Sequence, residues 1–280
     1  MQEKELTTKD FLVTGEEFDI IWNPDLRCLQ TAPVPANLDN YYQSPDYISH
    51  SDRAQTFMEK VYQRAKRINL KRKLRIVLRF HKKEGVLMDV GAGTGDFLKV
   101  AQMNGWEAYG VEPNDNARER AHQKGVSVYK SLSVQKHPVY DVVTFWHVFE
   151  HLEDLDQSIE DVSAALKPGG WLILAVPNYK SLDARHYREY WAAYDVPRHL
   201  WHFSKDSIRH LFTPKGYELV SVKPLWMDAF YISWLSEKYR GRKLAPVFGF
   251  LLGLASNLYG IFSGEYSSHV YILKKQPEAF

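Results

Sequence analysis

The apolar positions follow two periods. Short, mostly apolar runs, Val86-Leu87-Met88 on to Val90, Tyr140 to Trp146 and Trp171 to Pro177, have the length and make-up of buried strands. Between them, apolar residues recur three or four apart, as in Phe97, Leu98, Val100 and Ala101, and again from Leu155 to Leu166. That spacing predicts helices with one buried face. A strand near Trp106 to Glu112 and a short one at Val126 to Tyr129 complete a regular strand–helix alternation. The helix ending at Leu166 meets Lys167-Pro168-Gly169-Gly170, a helix stop and tight turn before the next strand. A helix from Ser204, a strand from Tyr217 to Val222 and a last strand from His269 to Leu273 follow. The chain therefore predicts an α/β sheet with helices on both faces.

Three stretches stand outside that alternation. Residues 1 to 15 read as a polar start. Glu17 to Trp22 and Arg27 to Thr31 flank a Pro-Asp turn and predict a hairpin, followed by an extended linker through Pro33 and Pro35. Tyr41 to His50 is dense in aromatic and polar groups and reads either as a packed loop or as a lid, with Tyr42 or His50 reaching inward. Residues 52 to 83 predict one or two helices. From Arg64 to Lys83 there are ten Lys or Arg and no acid, with Leu70, Leu74, Val77 and Leu78 at helical spacing. This basic face is either solvated or turned toward an anionic membrane or RNA. Ala245 to Gly264 carries no charged residue. Its length would span a bilayer, but Pro246, four glycines and the return to a last strand argue for a buried cap or a surface resting on lipid.

Composition narrows this moderately. With 280 residues, 45% hydrophobic and 25% charged, the chain suits one large domain with appendages. A net charge of +2 requires no anionic partner, and nucleic acid is not favoured. Cys28 is the only cysteine, so an internal disulfide and a cysteine-rich metal cluster are excluded. The polar start shows no signal peptide, and a cytoplasmic enzyme is the expectation, with peripheral membrane contact as an open alternative.

The chemistry centres on Asp89-Val90-Gly91-Ala92-Gly93-Thr94-Gly95. Glycines after a buried strand admit positive φ and let a ligand lie on bare backbone, and the helix start beyond offers unpaired N–H groups. Glu112 ends the next strand, about twenty residues on, where nucleotide folds grip a ribose diol. The third glycine of a dinucleotide fingerprint would fall at Asp96, which leaves an NAD-linked oxidoreductase as the weaker alternative. The D-x-G-x-G-x-G run with its following acid resembles the motifs of class I S-adenosylmethionine-dependent methyltransferases. "LKPGGWLILAVPN" is similar to a later region of that class, and "PRHLWHFS" resembles a stretch in the group that includes the ubiquinone-pathway O-methyltransferases.

The resemblance implies a Rossmann-like seven-stranded methyltransferase sheet, mostly parallel with the last strand antiparallel. It also implies S-adenosyl-L-methionine as cofactor, held by Asp89, Gly91, Ala92, Gly93, Gly95, Glu112, Pro113, Asn114, Ser131, Leu132, Trp146 and His147. His147-Val148-Phe149-Glu150-His151 reads as a cofactor-lining turn, with His151 as a base. A zinc-protease reading would need a helix in another fold. Relatives in the ubiquinone pathway carry a metal-binding E-x-x-E-H here. His147 replaces the first Glu, so no metal is expected unless Glu150 and His151 form a divalent site. His199 is the acceptor-side candidate. The expected division is an N-terminal hairpin and lid at 1–50, a methyltransferase core at 51–225, an apolar helical insert at 226–267 and the final strand and tail at 268–280. The expected reaction is methyl transfer to oxygen of a small or lipophilic acceptor, with an RNA-binding methyltransferase-like module as a further alternative.

Overall fold

A computed structural model describes residues 3–42, 57–82, 84–132 and 139–277. His50 and the lid segment from 43 to 56 lie outside them. The main sheet has seven strands: β4 (Val86–Val90), β5 (Glu107–Val111), β6 (Ser127–Tyr129), β7 (Tyr140–Trp146), β8 (Leu166–Pro177), β10 (Tyr217–Pro224) and β11 (Ser268–Lys275). Their order is β10-β11-β8-β7-β4-β5-β6. β11 runs antiparallel to both neighbours, and the pairs from β8 to β6 are parallel. The sheet expected from the sequence is therefore present, with only its last strand reversed. Strand order turns back between β4 and β7, which opens a crevice beyond their carboxyl ends.

Both faces of the sheet are covered. On one face α1 (Phe57–Phe80), α2 (Asp96–Gln102) and α3 (Asp115–Gln123) enclose a buried cluster that includes Val77, Leu87, Leu98, Trp106 and Ile272. On the other, α4 (Leu155–Ala165) and α6 (Lys205–Phe212) enclose Phe145, Phe149, Ile159, Leu174 and Tyr271. Local signals place the helix starts. Asn114 and Asp154 accept the backbone N–H three residues on, and Ser204 and Ser207 cap each other reciprocally.

Two local expectations need correction. The stretch read as a polar start contains β1 (Lys4–Lys9), which pairs with β2 (Glu17–Asn23). With β3 (Cys28–Ala32) and β9 (Trp201–His202) it forms a second, antiparallel sheet in the order β1-β2-β3-β9. β8 also starts at Leu166, ahead of the Lys-Pro-Gly-Gly turn, and a register shift between Tyr140 and Val142 on β7 absorbs that turn. A third cluster, with Phe18, Ile20, Trp191, Tyr194 and Ile232, lies between the small sheet, α5 (Leu182–Tyr187) and α7 (Trp226–Tyr239). α7 and α8 (Ala245–Ser263) form the hairpin inserted before β11.

Candidate active site

β4 carries Asp89 to the rim of the crevice, and the chain turns there into α2. The N–H groups of Gly91 and Ala92 both donate to Val111 O, at 2.7 and 2.9 Å, and pin the turn to the end of β5. Gly91 has φ +73°, and a Cβ there would stand 2.3 Å from Val148 Cγ2, so only glycine fits. Gly93 has φ +53°, and no atom lies within 4 Å of where its Cβ would be. That side of the loop is bare backbone. Gly93 N–H donates to Glu112 Oε2 and Asn114 N–H to Glu112 Oε1, both at 2.9 Å. Each carboxylate oxygen keeps a second lone pair.

Asp89 is buried and accepts the Thr144 hydroxyl at 2.6 Å. Burial pushes its carboxyl up to about 6, against the opposing pull of the Lys73 ammonium and the Thr144 hydroxyl. Lys73 comes from α1 and places its ammonium 4.9 Å from the centre of the Trp146 ring. Burial holds Lys73 below the usual lysine value, while Asp89 and Asp228 pull it back up. Trp146 Nε1 is buried with no hydrogen-bond partner among the described residues.

These groups fit S-adenosylmethionine. Glu112 has lone pairs to spare for a ribose diol, and the Gly93 side of the loop exposes main chain. Lys73, Asp89 and Asp228 offer both signs of charge to a methionine end that itself carries an ammonium and a carboxylate.

Beyond β7 the chain makes a 3-10 turn, Phe149–His151, preceded by His147 at φ +58°. A positive φ at a non-glycine residue is a strained conformation that surrounding contacts must impose. Here His147 N–H donates to Ala175 O at 3.0 Å, and the imidazole lies between two carboxylates. Nε2 is 3.0 Å from Asp228 Oδ2 and Nδ1 is 3.3 Å from Glu150 Oε1. Burial alone would lower its pKa, but the Asp228 and Glu150 carboxylates raise it to about 10. His147 is therefore an imidazolium at neutral pH, with both nitrogens donating, and has no lone pair for a metal. Burial pushes the Glu150 carboxyl up, yet its hydrogen bond to His147 and the imidazoles of His199 and His151 bring it down to about 2.

Glu150 Oε2 is buried and has no hydrogen-bond partner among the described residues. Two histidines stand beside it. His151 Nδ1 is 2.9 Å from Arg198 O and His199 Nδ1 is 2.8 Å from Ala193 O. A carbonyl only accepts, so both Nδ1 atoms carry a proton, and Nε2 is the lone-pair nitrogen of either ring in its neutral form. The two rings meet edge to face with centroids 4.6 Å apart. His199 Nε2 lies 4.0 Å from Glu150 Oε1 and from Asp195 Oδ2. Burial and the neighbouring His199 push His151 down to about 4, so it is neutral at pH 7. One donor atom each from Glu150, His151 and His199 lie within 4.8 Å of one another.

The small sheet fixes this second cluster. Thr31, on β3, donates its hydroxyl to His199 O at 2.6 Å and lies 3.0 Å from His202 Nε2. Leu200 N–H donates to Glu150 O at 2.8 Å. Arg198 is fully buried and donates to Asp10 at 2.9 Å, Asp195 at 2.7 Å and Tyr41 O at 2.9 Å. The Tyr42 hydroxyl reaches within 3.3 Å of His151 Nδ1. Among the titratable residues of "PRHLWHFS", Arg198 and His202 are thus internal braces, and His199 faces the cluster.

The expected residues separate into two neighbouring groups. Asp89, the Gly91-Ala92-Gly93-Thr94-Gly95 turn, Glu112, Pro113, Asn114, Trp146 and His147 gather at the carboxyl ends of β4, β5 and β7. Ser131 and Leu132 follow β6 at the outer edge of the same rim. His151 and His199 stand together one turn further, joined to the first group through Glu150 and His147. Lys73, Thr144, Asp195 and Asp228 were not anticipated as site residues. Lys73 was hidden within a run of ten cations, and Asp228 belongs to an insert without a motif.

This fold and site define a class I S-adenosylmethionine-dependent methyltransferase domain. A family model described as a methyltransferase domain matches residues 61–222. The chain belongs to that family. Its relatives include an uncharacterized methyltransferase of Geobacillus kaustophilus, 29% identical over 107 residues, which are 35% of this chain and 50% of that protein. A ubiquinone biosynthesis O-methyltransferase of Bordetella avium is 28% identical over 102 residues, 33% of this chain and 42% of that one. The chain spans about half the length of the curated relatives it matches. Among solved structures, phosphoethanolamine N-methyltransferase 2 of Haemonchus contortus in complex with S-adenosyl-L-methionine has a TM-score of 0.51 at 18% identity, covering 74% of this chain and 53% of that one. A SAM-dependent methyltransferase from Archaeoglobus fulgidus has a TM-score of 0.52 at 20% identity, covering 75% of this chain and 94% of that one.

Proposed function

We propose that this protein transfers a methyl group from S-adenosylmethionine to a hydroxyl oxygen of a small or lipophilic acceptor. One observation carries the oxygen assignment: Glu150 Oε2, buried and without a hydrogen-bond partner among the described residues, beside two imidazoles that bond the backbone through Nδ1. Bound in the crevice, S-adenosylmethionine supplies a methyl group already activated by its sulfonium. The chain's part is to hold the acceptor in line and to take the proton that leaves the hydroxyl. A buried carboxylate oxygen orients an O–H by accepting from it, and Nε2 of His199 or His151 receives the proton. The names of the ubiquinone-pathway relatives support the same choice of atom.

The test is methyl transfer from labelled cofactor to a panel of phenols, catechols and longer-chain hydroxylated aromatics, with calorimetry of cofactor binding alongside. The expected outcome is labelled methyl ether, with His199→Ala lowering kcat by about 10²- to 10⁴-fold while cofactor affinity holds. Label found only on amines or carbon acceptors, or a His199→Ala variant at the wild-type rate, overturns the assignment. The clustering of Glu150, His151 and His199 donors favours a second reading, in which a divalent cation holds the acceptor oxygen. Activity lost on chelation and restored by magnesium would select it.

A further inference from the structure

The helix α8 has its faces inverted. Its inward side is small or polar: Gly249, Gly253, Ser256, Asn257 and Gly260 are buried. Its outward side is large and apolar: Val247, Phe250, Leu251, Leu254, Leu258 and Ile261 are each more than two-fifths exposed. At 3.6 residues per turn these outward positions cover an arc of roughly 100° without a single charge. A helix bounded by water places its apolar residues the other way round. α7 extends the same surface with Met227, Tyr231 and Trp234, all exposed. The two helices approach through backbone. A Cβ on Gly249 would stand 2.4 Å from Trp234 Cα, and one on Gly253 would stand 2.8 Å from Phe230 Cα. Glycines four apart at a close crossing, with bulky side chains outside, are the packing of helices in lipid.

The end of the hairpin adds charge. Residues 238 to 243 read Lys-Tyr-Arg-Gly-Arg-Lys, four cations and no acid. Lys238 lies over the Trp234 ring at 5.3 Å and Arg242 over the Phe248 ring at 4.9 Å. The two carboxylates of the hairpin are turned inward, Asp228 onto His147 and Glu237 onto Tyr187 and, at 3.3 Å, onto Arg242 Nε, while Lys238 and Lys243 are exposed. An anionic lipid headgroup complements this surface. A second copy of the chain would bring the same hairpin, which has no exposed carboxylate to meet the cations.

We infer that the outer face of the α7–α8 hairpin docks on an anionic bilayer and lies flat in its interface. Among the described residues α8 is the one helix long and apolar enough to cross a membrane, yet its other face is sealed to the protein. Ser256 donates to the buried Asp183 at 2.6 Å, Asn257 donates to Trp226 O at 2.9 Å, and β11 begins five residues after the helix ends. Those polar contacts keep one face on the domain and leave the other for lipid, as in monotopic anchors. The inference goes beyond the methyl-transfer proposal and does not depend on which atom is methylated.

The test is co-sedimentation of the full chain with phosphatidylcholine vesicles, with and without phosphatidylglycerol, beside light scattering of the free protein. A monomer that partitions onto the anionic vesicles is expected. Leu254→Glu with Leu258→Glu should cut partitioning at least about tenfold on both vesicle types. Lys238→Gln with Lys243→Gln should cut it about tenfold on anionic vesicles alone, and salt should mimic that change. All these side chains are exposed, and an unchanged circular dichroism spectrum verifies folding. Quenching of tryptophan fluorescence by brominated lipid, diminished in Trp234→Phe, gives a second readout. A protein that stays in the supernatant with both vesicles overturns the inference. So does a dimer that the Leu254→Glu, Leu258→Glu variant dissociates, because a second copy would then cover the face.

Discussion

Glu112→Gln tests how the crevice grips the cofactor. The wild-type carboxylate accepts two backbone N–H groups at 2.9 Å and retains two further lone pairs for the ribose hydroxyls. Glutamine keeps one carbonyl oxygen. Its amide must face either Gly93 N–H or Asn114 N–H, donor against donor, or turn its donors toward the ribose. At least one charge-assisted bond to the diol is lost, which is about 1.5–3 kcal/mol. That corresponds to roughly a 10- to 150-fold rise in Kd. Isothermal titration with S-adenosylhomocysteine measures it, and a melting curve separates any loosening of the glycine loop. A 2′,3′-dideoxy analogue of the ligand closes a double-mutant cycle. It should bind the wild type poorly and lose little more in Glu112→Gln. A change in Kd within about threefold, or a coupling near zero, refutes the ribose contact.

Other outcomes follow from the bracing around the site. Asp10→Ala removes one of two carboxylates from the buried Arg198 guanidinium. Breaking a buried pair costs about 3–5 kcal/mol, and Asp195 stays in place, so a loss near the lower bound is expected in urea unfolding. A loss well under 1 kcal/mol would show that water reaches Arg198. The His147 imidazolium gives a pH dependence. Its pKa is raised from 6.5 to about 10, so its contribution to stability is complete below 6.5 and lost as pH climbs through 10. Asp228→Asn removes one partner and should flatten that alkaline decline in melting temperatures taken from pH 6 to 10. An unaltered slope would detach His147 from the effect.

The glycine turn and Glu112 were legible because their requirements are local. A buried strand needs an unbroken apolar run, a turn at positive φ needs glycine, and a carboxylate that ends the next strand lies across the sheet from that turn. β1 was not legible. Its sequence, KELTTK, lacks an apolar run, and its strand form comes from pairing with β2 and from the Thr8 hydroxyl on Glu189 O at 2.5 Å. The basic run shows how one pattern divides in three dimensions. Lys66 pairs with Asp96 at 2.8 Å, Lys73 turns to the crevice, and Arg67 and Arg75 face outward.

Taken alone, then, the order of residues determined the alternation of strands and helices, the glycine turn and the acid that follows it, since each depends on neighbours within a turn or a strand. Only the tertiary structure brought Glu150 and His151 against His199, about fifty residues on, and turned the apolar side of α8 outward. Those outcomes depend on which distant surfaces meet. Spacing along the chain records what a segment can bury, not what it finds to bury it against.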